Sequence, residues 1–224
     1  MSMSEHTALG KNLAGGGPPA AKKSKSMEGQ EQDRTNSEDM LVLPEAMVTH
    51  AGVRMPVMIY GTAWKKERTE AMVAMALAAG FRGVDTAAQP KHYYEAGVGM
   101  ALKAAFEANR LRREDMFIQT KVNRNHAAEL SPGMPIAAQV ARSVAQSLSN
   151  LGVDYVDSLV LHSPYKDDED TMAAWRAMEV AVRDGFVRQL GISNVKSLRQ
   201  LRRLHAEAEI KPAVVQQRFY AKTG

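Results

Sequence analysis

From about residue 52 onward, short apolar runs alternate with longer stretches whose apolar residues recur at helical spacing. This alternation narrows the fold more than any other feature of the chain. Strands are expected at 57–60, 81–85, 116–122, 155–161, 186–192 and 212–216. Helices are expected between them at 67–79, 95–109, 136–151, 171–183 and 196–208. Gly80, Gly152 and Asp184-Gly185 act as helix stops. Strict β-α alternation implies parallel strands joined by right-handed crossovers. A doubly wound open sheet and a (β/α)8 TIM-type barrel both satisfy it. The doubly wound sheet expects a Gly-rich phosphate turn after its first strand. Here that turn reads Gly61-Thr62-Ala63-Trp64-Lys65-Lys66, and Gly97-Val98-Gly99 falls at a helix start without a preceding strand. The α/β barrel explains more.

The first forty residues have a different texture. They are rich in Ser, Gly, Pro, Lys and Glu, and Gly15-Gly16-Gly17-Pro18-Pro19 suits neither helix nor strand. Such a segment buries too little apolar surface to offset its ordering entropy. Residues 1–45 are therefore expected to be a disordered tail, with Lys22, Lys23 and Lys25 solvated, and 46–224 to form the folded domain. The first forty residues carry five basic and six acidic side chains, about −1 together, so the remaining 24 basic against 19 acidic residues hold about +5 of the net +4. Solvated helix faces account for that excess most simply. Basic helices such as the one around Arg199, Arg202 and Arg203 lack an aromatic stacking platform or a recognition motif, so no nucleic-acid partner is expected. The chain has no cysteine, which excludes disulfides and thiolate metal sites and suits a cytoplasmic protein. No apolar run approaches the ~18 residues of a membrane helix, and no metal site is expected from the scattered histidines.

Polar residues recur at the carboxyl end of every expected strand: Gly61-Thr62, Asp85-Thr86, Lys121, His162-Ser163, Ser193-Asn194 and Gln216-Gln217. In a parallel barrel these ends converge on one face, where barrel active sites lie. Any one of them is ordinary as a turn, a cap or a solvated group. An acid, an amine and an imidazole on three successive strands form a set whose members perturb one another. Tyr93 and Tyr94 follow the second strand, near Asp85. An ammonium at Lys121 beside a phenol favours the phenolate and is expected to lower the phenol's pKa from near 10. Asp85 is expected to pair with Lys121, and His162 to orient a substrate oxygen. Together they make a general acid for a developing alkoxide.

Five stretches carry a resemblance to the aldo-keto reductases over about residues 56–220. They are Gly61-Thr62-Ala63-Trp64, Gly80-Phe81-Arg82-Gly83-Val84-Asp85-Thr86-Ala87, Ile118-Gln119-Thr120-Lys121-Val122, Asp154-Tyr155-Val156-Asp157-Ser158-Leu159-Val160-Leu161-His162 and Gly191-Ile192-Ser193-Asn194-Val195. The resemblance implies a catalytic tetrad of Asp85, Tyr93, Lys121 and His162. Tyr94 is the rival proton donor, and His92 aligns only if the gap is placed earlier in the loop. It implies an NADP cofactor, with Ser193, Asn194 and Gln216 holding its carboxamide and Gly61 and Thr62 forming its turn. Trp64 would wall the pocket of a small-molecule carbonyl substrate.

The family barrel has eight strands, and this sequence supplies six, so it resembles a barrel truncated after the sixth strand. The last two strands bring most contacts to the cofactor's pyrophosphate and adenosine phosphate. Two functions stand at this point: a reductase passing hydride from NADPH to an aldehyde or ketone with Tyr93 as proton donor, or an inactive relative that only binds or scaffolds. Substrate, direction of flux and oligomeric state stay open.

Overall fold

A computed structural model describes residues 45–219. The expected tail lies outside the described residues except for Glu45. The chain opens with an antiparallel hairpin of β1 (Ala46–Val48) and β2 (Arg54–Pro56), in which Ala46 faces Pro56 and Val48 faces Arg54. Six parallel strands follow: β3 (Tyr60–Gly61), β4 (Gly83–Asp85), β5 (Phe117–Val122), β6 (Val156–Leu161), β7 (Val187–Ser193) and β8 (Val214–Gln216). Helices α1 (Thr69–Ala78), α2 (Glu95–Glu107), α3 (Arg124–Leu130), α4 (Ile136–Leu151), α5 (Asp168–Arg183) and α6 (Leu198–Glu207) connect them.

Each parallel strand pairs with the next one in sequence, in the order β3-β4-β5-β6-β7-β8. A doubly wound sheet must reverse its strand order at a switch point. The uninterrupted order is that of a (β/α) barrel. Strands β5 and β6 are buried almost throughout, as parallel strands covered on both faces should be. Their apolar residues Ile118, Leu159 and Leu161 join Val98, Leu102, Trp175, Met178, Leu190 and Ile192 in one core. Trp175 is fully buried, and its indole Nε1 donates to the Ile210 carbonyl at 3.0 Å, so α5 is tied to the segment leading into β8.

Local chemistry sets the helix ends. Asn123, Asp167 and Ser197 cap α3, α5 and α6 with side-chain oxygens that accept backbone N–H groups. Gly152 ends α4 in the left-handed region at φ 66°, where a Cβ would be strained. Gly99 has a different reason. A Cβ there would run into the Asn150 carbonyl oxygen and the Leu151 backbone. Gly99 thus serves helix packing against the end of α4, whereas Gly97 makes room for the Tyr94 ring and Thr69.

Three features differ from expectation. The strand expected at 57–60 is only Tyr60–Gly61, because the chain before it is committed to the hairpin, and the Val57 N–H is taken by the Glu45 carbonyl at 3.1 Å. The hairpin itself was not anticipated. Nor was α3, which depends on the Asn123 cap rather than on an apolar stripe.

Candidate active site

The carboxyl ends of the parallel strands bring the expected polar residues together. Asp85 ends β4, Lys121 lies near the end of β5, and His162 follows β6 directly, its N–H extending the ladder to the Val122 carbonyl at 3.0 Å. Lys121 is 2% exposed. Its Nζ donates to Asp85 Oδ1 at 2.5 Å and to the Thr86 carbonyl at 2.8 Å. Burial lowers the Lys121 ammonium from its usual range, and the charges of Asp85 and Glu95 oppose that shift only in part. The expected Asp85–Lys121 pair is therefore formed, in a setting where an uncompensated charge would be costly.

Tyr93 sits in the loop between β4 and α2. Lys121 Nζ lies 5.2 Å from its ring centroid, and the His162 ring meets it edge-on with centroids 5.9 Å apart. Tyr94, the rival, lies at the amino end of α2 with its ring against Gly97. His92 is turned the other way. Its ring stacks on Trp64 at a centroid distance of 4.0 Å, and its Nδ1 pairs with Gln89 Oε1 at 3.2 Å. Trp64 is largely exposed and adopts φ 63°, an uncommon conformation for a bulky residue. Its N–H donates to the His92 carbonyl at 2.7 Å, which ties the turn after β3 to the tyrosine loop.

One electrostatic expectation is corrected. The Tyr93 phenol is raised, not lowered, from its usual 10. Burial is the largest cause and the Asp85 carboxylate the second, while Arg218 opposes them. Lys121 stands over the ring, but its charge is shared with Asp85, whose effect on the phenol has the opposite sign. Burial also lowers the His162 imidazole from 6.5 to about 4, with the Lys121 charge next in importance. His162 is therefore neutral at neutral pH, and its Nδ1 is buried without a hydrogen-bond partner.

The residues expected to hold a cofactor cluster at the same end. Ser193 and Gln216 are register neighbours on β7 and β8. Asn194, at φ 56°, donates its amide to the His162 carbonyl at 2.7 Å and to Ser193 Oγ at 3.1 Å. Gln216 Nε2 donates to Asp85 Oδ2 at 3.2 Å. Thr62 is fully buried, and both its N–H and its hydroxyl donate to the Asp85 carbonyl at 3.0 Å, so its side chain fixes the end of β4. Gly61 ends β3 with open space where a Cβ would stand.

Two residues were missed by reading strand ends alone. Glu95 is buried at the start of α2, accepting from Thr120 Oγ1 at 2.5 Å and Asn150 Nδ2 at 3.1 Å. Gln119 donates to Asp85 Oδ1 at 2.9 Å and, over a longer 3.4 Å, to Gln216 Oε1. Its signal was present in the sequence. It is a polar residue inside an apolar strand, two positions before Lys121 and so on the same face. Among the described residues, no group of three or more His, Cys, Asp or Glu side chains is placed to hold a metal ion, and no helix is long and apolar enough to cross a membrane.

Residues 57–221 match the Aldo/keto reductase family profile. The chain is 36% identical over 185 residues to the glyoxal reductase of Bacillus subtilis, covering 80% of this chain and 60% of that protein. It is 35% identical over 179 residues to the uncharacterized oxidoreductase YtbE of the same organism, covering 77% and 58%. Among solved structures, an aldo-keto reductase of Bombyx mori in complex with NADP aligns with a TM-score of 0.69 at 26% identity, over 80% of this chain and 59% of that one. A reductase from Brucella melitensis aligns with a TM-score of 0.67 at 29% identity, over 80% and 63%. The chain thus spans between 51% and 60% of the length of the curated relatives it matches. With the barrel order of its strands and this profile match, the chain belongs to the aldo/keto reductase family.

Proposed function

We propose that this site interconverts an aldehyde or ketone and the corresponding alcohol, using NADP(H), with Tyr93 passing the proton. The observation that carries the reading is the packing of the Tyr93 ring against both the Lys121 ammonium and the His162 ring, with Lys121 paired to Asp85.

A phenol held protonated by burial is an acid at rest. It becomes an effective donor only when the substrate oxygen develops negative charge and exceeds it in basicity. The Lys121 ammonium beside the ring then stabilises the phenolate left behind, and Asp85 keeps that ammonium in place. The neutral His162 imidazole can donate its one N–H as a hydrogen bond toward the same oxygen. NADPH, when bound, supplies the hydride to the carbonyl carbon.

The residues present fit a nicotinamide carboxamide by the chemistry of their donors and acceptors. Ser193 offers a hydroxyl. The Asn194 amide nitrogen is spent on the His162 carbonyl and Ser193, which turns its oxygen outward as an acceptor. Gln216 retains a second N–H and a second lone pair beyond its bonds to Asp85 and Gln119. The exposed Trp64 ring, stacked on His92, stands beside the tyrosine loop as one wall for a small carbonyl compound. Family membership and the NADP complex of the Bombyx mori relative support the choice of cofactor.

The test is a fluorescence titration of the chain with NADPH, followed by NADPH-consumption assays on a panel of small aldehydes and ketones. Saturable binding with turnover is expected. Tyr93→Phe should reduce turnover by about 10²–10⁴-fold, the worth of a general acid, while NADPH binding is retained. Undiminished turnover in that variant, with loss in Tyr94→Phe, would move the proton donor to Tyr94. Binding without turnover by the unmodified chain would leave it a binding role only.

A further inference from the structure

Gln119 is 3% exposed in the middle of β5, facing the barrel interior with Lys121. A glutamine there is an unfavourable choice for packing. Burying an amide costs free energy unless its groups are hydrogen-bonded, and Gln119 Oε1 is buried without a partner. The register places it beside Ser158 on β6, which in turn faces Gln189 on β7. This layer of three polar side chains lies one step below the catalytic groups, and each keeps an unpartnered buried atom. Of the three, Gln119 is the one whose amide reaches the site. Its Nε2 bridges Asp85 Oδ1 at 2.9 Å and Gln216 Oε1 at 3.4 Å, while Gln216 Nε2 returns to Asp85 Oδ2 at 3.2 Å. The three side chains close a ring of hydrogen bonds.

We infer that Gln119 is a positioning residue that fixes the amide of Gln216 against Asp85, so that the cofactor-holding edge of the site and the acid–base pair form one unit. The ring settles which way the Gln216 amide faces, since Gln119 can only donate to its oxygen and Asp85 can only accept from its nitrogen. The remaining N–H and lone pair of Gln216 are then presented in one orientation, and no rotamer or amide flip has to be selected when a carboxamide arrives. The same ring gives Asp85 three donors, from Lys121, Gln119 and Gln216, of which only Lys121 carries charge. Gln119 acts through these two residues and touches no reacting atom. The inference rests on the reading of Gln216 as a carboxamide-holding residue.

The experiment is a double-mutant cycle on NADPH affinity in the full 224-residue chain, using Gln119→Met, Gln216→Met and the pair. Methionine keeps the volume of glutamine and removes its hydrogen bonds. Gln119→Met is expected to raise the Kd for NADPH about 3- to 10-fold, the loss of one or two neutral hydrogen bonds. The pair should be no weaker than Gln216→Met alone, because the two residues act in series. Additive effects, or an unchanged Kd in Gln119→Met, would overturn the inference. Should Gln119→Met not fold, Gln119→Asn draws the amide back by one methylene and carries the same test. If the unmodified chain binds no NADPH, the functional reading fails separately. A thermal-unfolding cycle on the same variants then decides the tether: coupling between Gln119 and Gln216 upholds it, and zero coupling removes it.

Discussion

Burial shifts the titration of two groups in this site, each toward its neutral form. It holds the proton on the Tyr93 phenol more firmly and disfavours a second proton on the His162 imidazole. For His162 this has a consequence for stability. The unfolded chain takes up that proton near 6.5, whereas the folded chain resists it until about 4. Between those values the unfolded state binds more protons, so stability falls as pH is lowered through this window. Above 6.5 the imidazole is neutral in both states and contributes nothing. His162→Asn removes the effect. Its Tm should drop less than that of the parent chain between about pH 7 and pH 4.5, whatever the variant's absolute stability. Equal slopes in circular-dichroism melts would assign the acid sensitivity to other groups. That Asp85, Lys121 and His162 come together was legible because each stands at or next to a strand end, and the ends of parallel strands converge on one face of a barrel. The direction of the Tyr93 shift was not legible. It depends on how deeply the loop buries the ring, and on Asp85 opposing Lys121, neither of which spacing reveals. Gln119 was overlooked because it lies inside a strand, where an apolar pattern draws attention away from its one polar member.

At the level of elements, the helices that were legible are those with a clear stripe and a clear stop. In α4, Val140, Val144 and Leu151 are buried on one side, and Gly152 closes the helix. The ends of β5, β6 and β7 were read to within a residue for a similar reason, since long buried strands are continuous apolar runs. Short elements escaped. The two-residue β3 and the seven-residue α3 are made by hydrogen bonds to neighbours, Asp85 and Asn123 respectively, rather than by periodicity. Gly97-Val98-Gly99, set aside as a phosphate turn because no strand precedes it, lies inside α2, where Gly99 answers to helix packing. Gly99→Ala would press a Cβ onto the Asn150 carbonyl and the Leu151 backbone, which cannot swing aside as a side chain can. Overpacking of this kind costs about 1–3 kcal/mol. Gly61→Ala places its Cβ in open space and is the control. Denaturant unfolding should show the first loss without the second. Equal stability of the two variants would mean that α2 can lift off α4 freely.

Across the whole molecule, the parallel sheet has two ends with different tasks. The carboxyl end gathers Asp85, Lys121 and His162, and the amino end is covered by the hairpin. Thr49 in the hairpin turn donates its hydroxyl to Gln189 Oε1 at 2.6 Å, and His50 Nε2 pairs with the Pro212 carbonyl at 3.2 Å. Gln189 is fully buried in β7, and its Nε2 has no partner. The Thr49 hydroxyl therefore anchors the Gln189 side chain through its oxygen, and it fixes the glutamine that lies in register with Ser158 and, through it, Gln119. Thr49→Val keeps the shape of the residue and removes the donor. It leaves both ends of a buried amide unsatisfied, a change that costs about 1–3 kcal/mol. Because the hairpin packs on the strands from outside the β-α repeat, its loosening should precede global unfolding. Amide hydrogen exchange should therefore rise first in Ala46–Val48 and at Arg54 and Met55, with the central strands β5 and β6 responding only to the fall in global stability. Uniformly faster exchange in hairpin and barrel alike would mean that the hairpin is an integral part of the barrel's cooperative unit, and unchanged exchange in both would show that the Thr49 bond contributes nothing to closing the amino end.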